Sequence, residues 1–226
     1  MKFIVLEGLD GSGKSTQIKM LLQHLKSMSI SHEYIHFPRT DKPFFGEMVA
    51  RFLRGEFGDN NSVDPYLVAL LYAGDRYGAA ETIKRWLNEG KLVLVDRYVY
   101  SNIAYQCAKI ENDFDQENLK KWILELEFDY FKIPQPDINI FFDVPLEFVK
   151  KNLNNSRTGY DRDYLKGMDD IHEKDFSFQI KVRNVYLKLA DDGIIKKIEC
   201  FKNNDILPPD VIFNELINQL KLKNLI

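Results

Sequence analysis

Residues 8–16, GLDGSGKST, combine three glycines with a lysine and three hydroxyl side chains shortly after an apolar run. Their spacing fits the phosphate-binding pattern G-x-x-x-x-G-K-[ST]. Glycines let the backbone turn its N–H groups toward phosphate oxygens, and the helix that follows places its positive end at the anion. Lys14 supplies a cation for a transferring phosphoryl group, and the Ser15 hydroxyl is suited to binding Mg²⁺. The predicted nucleotide-binding residues are Gly8, Gly11, Ser12, Gly13, Lys14, Ser15 and Thr16.

The loop narrows the class of ligand without fixing the reaction. A dinucleotide-binding G-x-G-x-x-G motif that starts at Gly11 fails, because its third glycine would fall at Thr16. We therefore expect a nucleoside triphosphate with Mg²⁺. The loop by itself does not separate a kinase from a switch GTPase or a motor protein, so the second substrate must be sought elsewhere in the chain.

Strand and helix patterns alternate along the chain, and their order positions the loop. Apolar runs such as FIVL at 3–6 and LVLV at 92–95 lack alternation, as expected of strands covered on both faces. The pattern predicts an α/β fold of the P-loop NTPase type, a parallel five-stranded sheet covered by helices on both faces. Strands are expected at 3–6, 32–37, 91–96, 138–143 and 194–200. Helices are expected at 15–28, 43–53, 65–88, 101–108, 116–131, from 145, and at 170–189 and 209–222.

Charged side chains follow directly on several of the expected strands. In open parallel sheets, ligands bind at the carboxyl ends of the strands. Glu7, Arg39, Asp96, Arg97 and Asp143 are all expected at that edge. The sequence therefore places its candidate chemistry on one side of the sheet, next to the phosphate-binding loop.

Length and composition are those of one large domain, 1–226. The stretch 155–170, SRTGYDRDYLKGMDDI, is polar without a clean period and predicts a mobile lid. The net charge of −3 does not indicate a nucleic-acid-binding face. Cys107 and Cys200 lie too far apart in sequence for a metal motif and are expected as buried free thiols. No secretory signal or membrane span is visible, so we expect a cytoplasmic protein that does not bind a membrane.

Four further stretches occur in the order and at the approximate spacing found in thymidylate (dTMP) kinases. They are FPRT at 37–40, ALLYAGDR at 69–76, DRYVYSNIAYQ at 96–106 and HEKD at 172–175. With LEGLDGSGKSTQ at 6–17 they span nearly the whole chain, which thus resembles the thymidylate kinase family. The resemblance implies phosphorylation of the small-molecule substrate dTMP to dTDP, using ATP and Mg²⁺ in dTTP synthesis, by a homodimer.

The resemblance also implies where the acceptor phosphate and sugar bind. Asp10 matches a carboxylate near the sugar and its 3′-hydroxyl, although an aspartate here is also a common turn residue. Arg39 and Arg97 match arginines that hold the acceptor phosphate, a role that suits the planar guanidinium; surface ion pairs are the alternative. Asp96 matches a carboxylate that assists Mg²⁺ and positions the neighbouring arginine, and otherwise it would cap the next segment.

A second group of residues matches the family's contacts to the base and the deoxyribose. Tyr72 matches a ring on the thymine face, and taken alone it would equally be a core residue. Arg76 lies four residues on, on the same helical side, and matches a donor to a thymine carbonyl. Asn102 matches another contact to the base edge, and Tyr105 matches a ring that leaves no room for a 2′-hydroxyl. Phe37 belongs to the matching FPR motif.

The phosphate-binding loop departs from part of the family. Some members carry an arginine inside this loop, whereas residues 9–12 here offer no cation. We therefore expect a lid arginine, Arg157 or Arg162, to close over ATP and stabilise the transferring group, with Lys166 as a third candidate. The alternative is a solvated loop of mixed charge.

The mechanism implied is phosphoryl transfer, which depends on alignment and charge neutralisation. Because the acceptor phosphate is already ionised, no histidine is given a proton-transfer role. His172 and Glu173, just past the lid, match contacts on the acceptor side. Two other functions stay open. One is a kinase for another nucleoside monophosphate or for a deoxynucleoside, although Arg39 and Arg97 favour a phosphorylated acceptor. The other is a P-loop regulatory protein that binds nucleoside triphosphates and turns over slowly.

Overall fold

The computed structural model describes residues 2–154, 164–167, 170–172 and 175–226. The main sheet consists of β1 (Lys2–Glu7), β2 (His32–His36), β3 (Leu92–Asp96), β4 (Ile138–Asp143) and β5 (Lys196–Glu199). A small hairpin consists of β6 (Phe201–Lys202) and β7 (Asp205–Ile206). The helices of the described residues are α1 (Lys14–Ser27), α2 (Phe45–Leu53), α3 (Pro65–Asn88), α4 (Val99–Cys107), α5 (Asp113–Leu124), α6 (Leu146–Asn154), α7 (Phe176–Asp191) and α8 (Pro209–Leu222).

The five long strands form one parallel sheet in the order β2-β3-β1-β4-β5. Strands β3 and β4 are buried along their whole length, and β1 is buried after Lys2. The edge strands β2 and β5 alternate between more and less exposed residues. The parallel five-stranded sheet predicted from the uninterrupted apolar runs is confirmed, because only strands covered on both faces can be apolar throughout.

Two groups of helices cover the sheet. Helices α1 and α8 pack against each other and against β1 and β5, while α3, α4 and α7 pack together over β3, β4 and β5. The strand order puts β1, which leads into the phosphate-binding loop, between β3 and β4. None of the helices in the described part of the chain is both long and apolar enough to span a bilayer.

Several helix ends follow side-chain caps. Asp64 accepts hydrogen bonds from the backbone N–H groups of Tyr66 and Leu67, and Pro65 occupies the first position of α3, as the sequence predicts. The helix predicted to start at residue 170 begins only at Phe176. Asp175 caps that helix by accepting from the N–H of Ser177. The late start was missed because the residues before the cap are as polar as a first helical turn.

The helix predicted at 116–131 differs at both ends. It starts earlier, where Asn112 caps α5, and the α-helical geometry stops at Leu124. The next six residues, Glu125–Tyr130, form a π-helical turn. Such turns are rare in proteins, and those that do occur often lie at functional sites. An apolar periodicity cannot reveal one, because the turn differs from an α-helix in its hydrogen bonding.

The β6–β7 hairpin was not predicted. Its two-residue turn is formed by Asn203 and Asn204, which both have positive φ angles, 51° and 67°. Asparagine tolerates this conformation, and adjacent residues with positive φ are typical of tight hairpin turns. The Asn-Asn pair was therefore a usable signal for this hairpin.

Candidate active site

The phosphate-binding loop joins β1 to α1. Gly11 and Gly13 have φ angles of 76° and 82°, which are costly for residues with a side chain. A Cβ at Gly8 would lie 2.8 Å from the Ser12 Oγ. That hydroxyl is buried, and no described residue hydrogen-bonds to it. The loop is thus an anion cradle with one buried polar atom left for a ligand.

Lys14 and Asp96 form a buried ion pair at the base of the cradle. His36 Nδ1 lies 3.1 Å from the other carboxylate oxygen, and the Tyr34 hydroxyl lies 3.5 Å from it. Burial opposes the charge on Asp96, but Lys14, His36 and Arg97 hold the pKa of its carboxyl well below the usual range. Burial lowers the pKa of Lys14 and outweighs the attraction of Asp96. A second anion at this position would stabilise the charged lysine.

Arg97 follows β3 directly and has a φ angle of +66°, a strained conformation for an arginine. Its backbone N–H donates to the Leu6 carbonyl at 3.0 Å, which fixes the chain beside the loop. Its Nη2 donates to Asp10 Oδ1 at 2.8 Å, and the Tyr105 hydroxyl donates to the other oxygen of Asp10 at 2.8 Å. The guanidinium also lies 5.3 Å from the centre of the Tyr105 ring. The structure therefore brings together three residues that the sequence singled out separately.

Arg39 is held by Asp75 on α3. Its backbone N–H donates to Asp75 Oδ2 at 2.8 Å, and its Nε donates to Oδ1 at 3.0 Å. The guanidinium also lies 5.6 Å from the centre of the Phe37 ring. Asp75 is almost fully buried, so the pair is fixed rather than loose. Sequence reasoning missed this role, although Asp75 stands in the stretch ALLYAGDR at 69–76.

An aromatic and polar pocket continues from the two arginines. Tyr72 lines it, and burial raises the pKa of this tyrosine well above its usual value. Arg76 and Asn102 also line it, and both contact Glu127 in the π-helical turn. Gln106, which the sequence interpretation did not assign, is fully buried with both amide atoms unpartnered among the described residues. Its position four residues after Asn102 on the same helix was the available signal.

His172 closes one side of this pocket. Its ring lies 4.9 Å from Tyr105 and 5.6 Å from Phe52, measured between ring centres. Burial, together with the charge of nearby Lys109, lowers the pKa of His172 to about 3. The imidazole is therefore neutral at neutral pH.

One cleft of about 930 Å³ contains most of the predicted site. The predicted residues that line it are Asp10, Gly11, Ser12, Gly13, Lys14, Ser15, Phe37, Arg39, Tyr72, Arg76, Asp96, Arg97, Asn102 and Tyr105. Gly8 directly follows β1 and Thr16 lies in the first turn of α1, and neither lines the cleft. The predicted Arg157, Arg162 and Glu173 lie outside the described residues.

Two carboxylates expected at this edge have partners elsewhere. Glu7 is fully buried and accepts hydrogen bonds from the Tyr98 N–H at 3.0 Å and the Tyr186 hydroxyl at 3.0 Å. Burial raises its pKa. Asp143 forms a bidentate pair with Arg183, at 2.7 and 2.9 Å. Neither residue lines the cleft, so both support the sheet edge rather than the site.

Both cysteines are buried and free, as predicted. Burial raises the pKa values of Cys107 and Cys200 to about 12. Neither thiol lines the cleft.

Lys166, the third candidate for a lid cation, is exposed and does not line the cleft either.

The fold and the site together define a class. A P-loop at the carboxyl edge of a parallel sheet opens into a cleft that also holds two fixed arginines and an aromatic pocket. This arrangement is that of a nucleotide kinase, in which a triphosphate and a second nucleotide meet.

Comparisons with known proteins narrow the class. The family model of thymidylate kinase matches residues 6–205. The chain is 32% identical to a thymidylate kinase of Mycobacterium tuberculosis, over 84% of this chain and 86% of that protein. It is 37% identical to a probable thymidylate kinase of Thermococcus kodakarensis, over 84% of each. The solved structure of thymidylate kinase from Candida albicans superimposes with a TM-score of 0.71 at 26% identity, covering 99% of this chain and 92% of the other. The chain belongs to the thymidylate kinase family, whose reaction is the phosphorylation of dTMP.

Proposed function

We propose that the protein transfers the terminal phosphoryl group of ATP, with Mg²⁺, to the phosphate of dTMP, forming dTDP for dTTP synthesis. The observation that carries this proposal is the continuous cleft. It runs from the cradle at residues 11–15 past Arg97 to Tyr72 and Asn102. Two phosphates bound at its two ends would meet beside Arg97.

The donor end fits a triphosphate with Mg²⁺. The cradle leaves the buried Ser12 hydroxyl without a described partner, and the side chains of Ser15 and Thr16 are exposed beside it. No three His, Cys, Asp or Glu side chains of the described residues cluster as a metal site. This suits Mg²⁺, which is commonly held by one or two protein ligands, phosphate oxygens and water. Ser15 and Asp96 would hold the ion, which neutralises charge on the phosphates.

The transfer end depends on fixed cations. Arg39 and Arg97 are both held by carboxylates, so they are oriented before the acceptor binds. We assign the acceptor phosphate to these two guanidinium groups. Preorganised charge of this kind lowers the barrier to phosphoryl transfer. When a triphosphate occupies the cradle, we expect Lys14 to turn from Asp96 to the phosphates. A lid arginine, Arg157 or Arg162, is proposed to complete the charge over ATP.

The acceptor end fits a deoxynucleotide. Asp10 lies within hydrogen-bonding distance of Tyr105, and we assign this pair to the 3′-hydroxyl and to the exclusion of a 2′-hydroxyl. Tyr72 and Phe37 provide the apolar walls, and Arg76 and Asn102 the polar groups for the base. Glu173 is proposed as a further acceptor-side contact.

We place the enzyme in the cytoplasm as a homodimer of single-domain chains, each with a lid at 155–170.

A coupled assay of ADP release tests the proposal. The acceptors are dTMP, dUMP, dCMP, dGMP, AMP, UMP and thymidine, each with ATP and Mg²⁺. We expect a strong preference for dTMP and no turnover of thymidine. Preference for another monophosphate would retain the donor assignments but reject those at the base. ADP release that no acceptor stimulates would instead support a regulatory P-loop protein.

Paired variants separate the role of Arg97 from that of a buried arginine in general. Arg97→Lys should lower kcat by about 10²-fold or more, because lysine cannot keep two directed hydrogen bonds. Arg183→Lys weakens another arginine–carboxylate pair, a partly buried one outside the cleft, and should leave kcat near that of the parent enzyme. Equal losses in both variants would reject a catalytic role for Arg97.

A further inference from the structure

Glu127 lies in the π-helical turn and is fully buried beneath the base pocket. Arg76 donates to both of its carboxylate oxygens, from Nε to Oε2 and from Nη2 to Oε1, the latter at 2.6 Å. The Asn102 amide nitrogen donates to Oε1 at 3.1 Å. One carboxylate thus contacts both polar residues of the pocket. In the sequence, Glu127 is 51 residues from Arg76 and 25 residues from Asn102.

These contacts fix which way round the Asn102 amide lies. Its nitrogen also donates to the Ala69 carbonyl at 3.1 Å. A carboxylate and a carbonyl only accept hydrogen bonds, so the NH₂ group must face both of them. The Oδ1 of Asn102 then points elsewhere. It is buried, and none of the described residues donates to it.

The same carboxylate fixes the Arg76 guanidinium. Its Nε and one hydrogen of Nη2 are directed to Glu127. The hydrogens of Nη1 remain, and Arg76 lines the cleft. Asn102 lines the cleft as well, so the polar groups left for a bound base are an acceptor on Asn102 and a donor on Arg76. Arg76 can only donate, so Glu127 sets the orientation of its guanidinium, whereas for Asn102 the contact with Glu127 helps to set which end of the amide is left as an acceptor.

This pattern is complementary to the edge of a thymine base. Thymine presents an N3–H donor next to a carbonyl acceptor. Cytosine presents the reverse at these positions, with a bare N3 acceptor and an amino donor. A buried site built for one pattern rejects the other, because its own polar groups are left unpaired.

We propose that Glu127 is a positioning residue that sets the donor–acceptor polarity of the base pocket, acting through Arg76 and Asn102 to select thymine over cytosine. The inference deepens the proposed function and rests on it. The carboxylate continues the buried stripe of Leu119 and Ile123 at a spacing of four residues, and the π-helical turn begins two residues before it.

The test is the ratio of kcat/KM for dTMP to that for dCMP. Glu127→Gln keeps the volume of the side chain but replaces one of its two accepting oxygens by an NH₂ group. The new NH₂ group then competes with the NH₂ group of Asn102 for the same acceptor atoms. We expect the ratio to fall at least 10-fold, mainly through a higher KM for dTMP. A residue that only stabilises the fold would lower both activities together and leave the ratio unchanged.

Two further variants sharpen the result. Glu127→Gln combined with Asn102→Asp exchanges the two groups, with the amide now at position 127 and the carboxylate at position 102. A hydrogen-bond acceptor at position 102 again faces the pocket. This double variant should recover part of the preference for dTMP. Asp143→Asn removes the buried carboxylate of the Arg183 pair, another bidentate pair that does not line the cleft. It should lower the melting temperature without changing the ratio.

The outcomes also separate this inference from the proposed function. If the parent enzyme prefers an acceptor other than dTMP, the proposed function fails. If the parent prefers dTMP and folded Glu127→Gln keeps the parent's ratio, only the role of Glu127 is overturned. Failure of both the single and the double variant to fold would assign Glu127 to structure alone and would also overturn it.

Discussion

Lys109 shows how a single buried charge affects this protein. Its Nζ is buried, and no hydrogen-bond partner for it occurs within the described ranges. The ammonium lies 4.8 Å from the centre of the Phe52 ring. Burial lowers the pKa of Lys109 to about 7, against a weak opposing effect of Asp64. An unpaired buried lysine lowers stability as long as it must be protonated.

The pH dependence of stability follows from the direction of this shift. In the unfolded chain the lysine keeps its usual pKa of 10.5. Between about pH 7 and pH 10.5 the unfolded state therefore binds more protons, and stability rises with pH. We expect Lys109→Met to be more stable than the parent at pH 7. This advantage should shrink by about 1 kcal/mol or more between pH 7 and pH 9.

Denaturant unfolding at the two pH values measures the effect. Lys19→Met, at an exposed lysine of α1, is the matched control and should follow the parent at both. Parallel pH profiles for the parent and Lys109→Met would show that the buried amine does not titrate in this range.

At the scale of the element, helix α3 positions the neighbouring segments that form the acceptor site. Gly74 and Gly78 are one turn apart on the same side of it. A Cβ at Gly74 would lie 2.4 Å from the Phe45 ring, and one at Gly78 would lie 2.9 Å from Arg39 Nη2. The missing side chains thus let α2 and the Arg39 loop approach the helix. The neighbouring Asp75 can then hold Arg39.

Gly78→Ala should change stability and binding in opposite directions. Alanine favours the helix by up to about 1 kcal/mol over glycine. Its methyl group would displace the Arg39 guanidinium and raise KM for dTMP by about 10-fold, with a smaller change in kcat. Thermal unfolding with and without dTMP, together with steady-state kinetics, measures both effects.

A glycine elsewhere provides the comparison. Gly90 follows α3 with a φ of 73° and no atom near its missing Cβ. Gly90→Ala should destabilise the protein through backbone strain and leave KM unchanged. An unchanged KM in Gly78→Ala as well would mean that Arg39 does not need this close approach.

At the scale of the whole molecule, the exposed apolar side chains mark a surface for the proposed homodimer. Leu67 and Tyr77 of α3 are 61% and 53% exposed, and Tyr77 stacks on Phe131 beside the exposed Tyr130. Helix α4, by contrast, is buried in the core from Ser101 to Cys107. The α3 face is therefore the surface that we assign to the partner.

Sedimentation velocity tests this assignment. The parent should sediment as a dimer, and Leu67→Glu should shift it toward a monomer, because a charge on an apolar interface is left unpaired. Leu222→Glu places the same charge on the 75% exposed Leu222 of α8 and should leave the dimer intact. A monomeric parent, or dissociation by both variants, would contradict the assignment to α3.

The sequence alone determined what depends on local patterns. The run FIVL, the spacing of Gly8, Gly13 and Lys14, and the alternation of strands with helices define a P-loop α/β fold. A strand covered on both faces must be apolar throughout, and a phosphate cradle requires glycine and lysine at fixed spacing. The helices at 65–88 and 209–222 were predicted with their observed bounds because capping and proline signals are local as well.

Only the tertiary structure decided which charged groups meet. Asp10 contacts Arg97 across 87 residues, and Glu127 contacts Arg76 across 51. No local pattern relates such positions, because their pairing arises from the packing of separate elements. The π-helical turn that contains Glu127 was likewise invisible to a helical periodicity. The sequence thus specified the cations of the site and the elements that carry them. Which carboxylate pairs with each cation depends on the tertiary fold. A charged side chain must be paired only once it is buried, and burial requires the folded core.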